Sequence, residues 1–112
     1  MSYVVNESDW KLFRARLPGW QERHMESLIR EYAILLAGSE KASEKFWALT
    51  RRIEEDQQHV GVVERMSRSN MYRNLLALLR EGVITLDDLE GFSDELRESY
   101  ALTGSTLYGD HY

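Results

Sequence analysis

Punctuation by glycine and proline constrains this chain more than any other feature. Pro18-Gly19, Gly38, Gly61, Gly82 and Gly104 divide its 112 residues into blocks of helical length. No block sustains the two-residue alternation of a half-buried strand, whereas several repeat apolar residues at three- and four-residue intervals. The pattern predicts an all-α chain, a compact bundle of four to five short helices. Residues 1–102 form the expected single helical domain, and 103–112 read as a flexible polar tail.

Asn6 is placed to cap the first helix, with Glu7 and Asp9 favourable to its dipole. Trp10, Phe13 and Leu17 give that helix one apolar face, and Pro18 is expected to stop it, because the residue before proline is pushed out of the α region. A second helix is then predicted over about 20–37, with Met25, Leu28, Ile29, Tyr32, Leu35 and Leu36 as its stripe and Gly38 as a left-handed C-cap. Ser43 reads as the N-cap of a third helix carrying Phe46, Leu49 and Ile53, with Trp47 beside them. A fourth helix starts near Val62 and carries Val63, Met66, Met71, Leu75, Leu78 and Leu79. Ser67, Ser69 and Asn70 either lie inside it or mark an interruption capped by Ser69 or Asn70.

The passage Leu78-Leu79-Arg80-Glu81-Gly82-Val83-Ile84-Thr85-Leu86-Asp87-Asp88-Leu89 is the strongest local signal. Gly82 ends one helix, Thr85 and Asp88 have the spacing of a capping box, and Ile84 and Leu89 that of a hydrophobic staple. Leu89, Phe92, Leu96 and Tyr100 continue a helical face, despite Gly91 at a cost of about 1 kcal/mol relative to alanine.

This helix–Gly–Ile-Thr–helix passage, over about residues 75–98, resembles the helical hairpin of short C-terminal domains appended to many bacterial proteins. More widely, NESDWKLFRARLPGWQERHM, EKFWALTRRIEED, RMSRSN and LLREGVITLDDLEGFSDELRE resemble a family of small bacterial helical proteins often labelled automatically as multidrug transporters. The resemblance covers residues 3–98. It implies a helical fold and transfers no activity. The transporter label conflicts with the sequence, whose longest apolar run, Tyr32 to Ala37, is six residues against the roughly 20 that span a bilayer.

Composition removes several chemistries. Without cysteine there is no disulfide, thiolate metal site or cysteine nucleophile. The opening MSYVVNESDW lacks the basic and apolar regions of a signal peptide, so the expected compartment is the cytoplasm. A net charge of −5 argues against generic polyanion binding, which needs clustered Lys and Arg. His24, His59 and His111 show no i, i+4 ligand pair, and no metal site or cofactor is expected. Asp87, Glu90 and Asp94, with Asp88, Glu95 and Glu98, flank an apolar stripe as solvated charge does, and a general acid needs burial to raise its pKa. No GxSxG, GxxxxGK[ST] or GxGxxG motif occurs, and no catalytic residue is named.

The best recognition candidate is the arginine-rich run around Arg65, Arg68, Tyr72 and Arg73. On a continuous helix Arg65, Arg68 and Tyr72 share a face, and arginine forks there suit phosphate or carboxylate groups. The competing reading pairs these arginines with the acidic last helix inside the molecule. Residues 64–80 carry +3 and residues 81–98 carry −6. That acidity also rules out residues 86–98 as a DNA-recognition helix. The expected function is a non-enzymatic cytosolic protein–protein interaction module that binds another protein or itself as a homodimer. It has nine Trp and Tyr residues available as contacts. The alternative is an inhibitor of a nucleic-acid-processing enzyme acting through an acidic helical surface; third comes an enzyme with an unrecognised site.

Overall fold

The computed structural model describes residues 5–63 and 66–109, with backbone alone over 102–109. It is all-α, with no strand among the described residues. Helix α1 spans Glu7–Leu36, α2 Ala42–Asp56, the short α3 Val60–Val63, α4 Met71–Arg80 and α5 Asp94–Gly109, and a 3-10 turn at Leu86–Leu89 precedes α5. None of these helices is long and apolar enough to cross a membrane.

Four local expectations are corrected. Pro18 does not stop the first helix but lies inside α1. Phe13, Leu17 and Trp20 are all buried and carry one apolar face straight across the proline, so tertiary burial outweighs the lost N–H and the ring clash. Gly38 has no positive φ, and α1 ends through the backbone N–H of Ala37 instead. Lys41, not Ser43, occupies the N-cap of α2 and makes no side-chain cap bond. Gly91 adopts φ +93, open to glycine but strained for other residues, and so breaks the expected last helix into the 3-10 turn and α5. The arginine-rich run is interrupted as well: Met66 and Ser67 are non-helical, residues 68–70 turn, and α4 restarts after Asn70. The backbone of α5 is helical to Gly109, over most of the segment read as a tail; residues 110–112 lie outside the described residues.

The core forms where the first half of α1 meets α4, the Gly82 connection and α5. Phe13, Leu17 and Trp20 pack with Met71, Leu75 and Leu78, and with Ile84, Leu89, Leu96 and Tyr100. Aromatic contacts run from Trp10 through Phe13 and Trp20 to Phe92, with ring centroids 5.9–6.4 Å apart.

Polar clamps fix this assembly. Asn6 caps α1, its Oδ1 accepting from Ser8 and Asp9 N–H at 2.8 and 3.2 Å. Asp9 is buried and accepts from the Ser93 N–H at 2.7 Å and the Ser93 hydroxyl at 2.6 Å, tying the start of α1 to that of α5. The capping box of Thr85 and Asp88 is present, with the Asp88 carboxylate accepting from the Thr85 N–H at 2.8 Å. Arg23 of α1 grips the same carboxylate at 2.9 and 3.2 Å. Burial alone would raise the Asp88 pKa, but these donors outweigh it and hold the group below its ordinary value. Arg16 donates to the carbonyls of Asp88 and Glu90.

The second half of α1 leaves this core. At about 1.5 Å per residue the 30-residue helix is roughly 45 Å long, most of the molecule's 52 Å length. Beyond Trp20 its one buried residue is Leu28. The chain turns after Leu36 and α2 runs back antiparallel, forming a helical arm.

Candidate functional site

The interruption after Val63 disperses the residues expected to share a binding face. Arg65 lies outside the described residues. Arg68 sits in the turn and pairs with Glu7 of α1, an exposed contact worth little. Tyr72 stacks on Tyr100 with centroids 4.6 Å apart, and its hydroxyl lies 2.6 Å from that of Ser99. Arg73 donates to Asn70 Oδ1 at 3.1 Å. Arg68 in the turn and Tyr72 on α4 therefore do not lie on one continuous helix, because the chain is non-helical before α4 begins at Met71. Among the described residues, Arg68 pairs with Glu7 of α1 and not with the acidic last helix, while Asp94 pairs with Arg97 inside α5. Arg73 and Arg80 do border an open hollow of about 640 Å³ against Leu76 and Ala77, but Glu55 and Glu81 on the same wall balance them.

Two of the three histidines meet. His24 of α1 and His59, just before α3, stack with centroids 4.7 Å apart and planes 15° apart. The His24 Nε2 is buried without a hydrogen-bond partner. Burial and then the His59 ring hold its pKa below the ordinary 6.5, against the opposing pull of Asp56 and Glu31. The stack is possible because residue 61 is glycine: a Cβ there would come within 2.3 Å of His24 Cδ2. Stacked rings do not converge on one ion, and no group of three or more metal-ligating residues exists among the described residues. His111 lies outside them.

The surface that stands out is the arm. None of the fifteen residues of α2 is buried. Phe46 and Trp47 remain 62% and 59% exposed and touch only edge to face, at 5.0 Å. Ile29, Ile34 and Leu36 of α1 and Ile53 of α2 are exposed as well. A polar clasp holds the two helices together. The Tyr32 hydroxyl donates to Asp56 at 2.6 Å, and Arg52 bridges Glu31 at 2.8 Å and Asp56 at 3.4 Å while lying over the Tyr32 ring. Burial, then the bond to Asp56, pushes the Tyr32 pKa up to about 12.

The exposed apolar residues are ordered. Ile29 and Leu36 are seven apart on α1, as are Phe46 and Ile53 on α2, so each pair lies on one side of its helix. Ile29 and Ile53 line a common groove of about 280 Å³ with Met25, Leu28 and Val62. Because the helices are antiparallel, Leu36 and Phe46 extend the same side of the hairpin towards its tip. The result is one apolar face with a groove at its base and a protruding phenylalanine about 10 Å away.

The sequence reading placed Ile29 and Leu36 in one apolar stripe and Phe46 and Ile53 in another. A stripe at helical spacing shows that a face requires cover, and not whether the same molecule supplies it. The available signal was Trp47 standing outside its stripe. No protein-family model, curated protein or solved structure matches the chain.

Proposed function

We propose that the protein is a non-enzymatic helical interaction module whose working surface is the apolar face of the α1–α2 arm. The observation that carries this reading is a fifteen-residue helix with no buried residue and two large aromatics in the open. Ordering a backbone costs about 1–2 kcal/mol per residue, and a polar clasp at the edge of two helices offsets little of it. Contiguous exposed apolar surface on a folded domain marks a contact site, and aromatic residues are the usual anchors of such contacts.

Replacing Phe46 and Ile53 together by Ser tests this. The double variant is expected to keep its α4–α5 core, and so its near-ultraviolet dichroism, while losing the associations that wild type makes with itself or another protein. A variant that retains the wild-type mass in solution and every wild-type partner contradicts the proposal.

A further inference from the structure

We infer that the stacked pair of His24 and His59 is an acid-sensitive latch, which fastens α3 and the end of α2 to α1 while both rings are neutral and releases them when a ring takes up a proton. The geometry leaves neither ring a place for that proton. The Gly61 N–H donates to His59 Nδ1 at 3.0 Å, so the ring's own proton sits on Nε2, 3.4 Å from Glu81 Oε1. A charged imidazole is a donor at both nitrogens. On His59 the added proton sets an N–H against the Gly61 N–H and removes the bond that ties the ring to α3. On His24 it leaves a donor at Nε2, which is buried and has no acceptor. Turning the His24 ring away is blocked on the α3 side by buried Gly61, where even a Cβ would come within 2.3 Å of the ring. Two charged rings with centroids 4.7 Å apart also repel.

The charged groups around the pair do not remove this penalty. Asp56 at the end of α2 and Glu31 of α1 favour a charged His24, but Asp56 is held by Tyr32 and Arg52, and Glu31 by Arg52. Neither bonds to the buried Nε2. Glu81, just after α4, is the carboxylate facing His59; it is exposed, and an exposed pair is worth little. Glu55 of α2 and Arg73 and Arg80 of α4 border the hollow that His59 lines, so charges of both signs face that ring. Helix α3, VGVV, carries no titratable side chain. His59 joins α2 to α3, so the latch sits where the arm meets the rest of the molecule. Val62 of α3 lines the groove at the base of the arm, and release takes away that wall; this consequence rests on the arm being the working surface, whereas the latch does not.

The absence of cysteine allows spin labels to be placed on the full chain at Glu26→Cys of α1 and Glu54→Cys of α2, both exposed. Dilution into unlabelled protein restricts the reading to distances within one molecule. A single short distance is expected at pH 7.5. The closed state is lost as the pH falls through a value below 6.5, so a second, longer distance is expected to grow in by pH 5 while the near-ultraviolet dichroism of the core persists. His24→Phe cannot be charged and is expected to hold the short distance at pH 5. His59→Asn keeps an acceptor for the Gly61 N–H and is expected to shift the opening to lower pH. A wild-type distance that does not change down to pH 5 overturns the latch, as does loss of the core dichroism in the same step. A His24→Phe variant that opens at the wild-type pH overturns it too, and assigns the opening to the carboxylates. If His24→Phe is already open at pH 7.5, His59→Asn decides, and its opening at the wild-type pH overturns the latch.

Discussion

At the scale of single residues, stability concentrates in a few buried polar contacts whose loss is measurable. Asp9 is the buried acid that joins α1 to α5 through two short bonds to Ser93. Hydrogen bonds to charged groups are worth about 1.5–3 kcal/mol, so Asp9→Ala is expected to cost about 2–3 kcal/mol in a urea melt; an unchanged midpoint contradicts the clamp. His24 gives a pH signature. Its folded-state pKa is depressed below 6.5, so the unfolded chain takes up a proton that folded His24 resists. That stability is present above pH 6.5 and is lost as the pH falls through the depressed value. His24→Phe keeps a flat ring over Gly61 beside His59 and removes this titration. Melts between pH 7.5 and 5 are expected to fall less steeply for the variant, and parallel curves for the two proteins contradict the assignment.

At the scale of elements, legibility followed how local the deciding physics is. The Asn6 cap and the Thr85/Asp88 capping box act within one turn of chain and were readable from residue types and spacing, and Ile84 and Leu89, spaced as a staple, are both buried. The stop expected at Pro18 was not realised, because the decision rests on the distant core that buries Phe13, Leu17 and Trp20. Gly91 was read as a tolerated interruption, whereas its positive φ lets the chain turn beneath Arg16, whose guanidinium Nη2 lies 3.0 Å from where a Cβ would stand. The contact of His24 with His59 depends on Gly61 across a gap of 37 residues, which spacing cannot report. Pro18 offers a direct check. Proline inside a helix costs about 3 kcal/mol relative to alanine, and Pro18 is exposed. Pro18→Ala is therefore expected to raise stability by up to about 3 kcal/mol, and a lowered urea midpoint would show that the ring is needed for the path of α1.

At the scale of the whole molecule, the structure divides its burial unevenly. Among the described residues one end holds nearly all the buried apolar residues, while the arm has Leu28, half-buried Leu49, ion pairs and one tyrosine bond. The sequence made both ends look alike, since Phe46, Leu49 and Ile53 repeat as regularly as Met71, Leu75 and Leu78. Only the fold shows that one stripe is buried within the chain, while in the other Phe46 and Ile53 stay exposed and Leu49 is half-buried. The consequence is a difference in local stability, because segments with few buried contacts open at low free energy. Amide hydrogen exchange followed as a function of protein concentration reads this most directly. If association covers the arm, the amides of residues 42–56 exchange fast in dilute solution and slow markedly as the protein is concentrated, while those of residues 71–100 stay slow throughout. Slow exchange across residues 42–56 that does not change with concentration contradicts it, because α2 would then be stable with its apolar face uncovered.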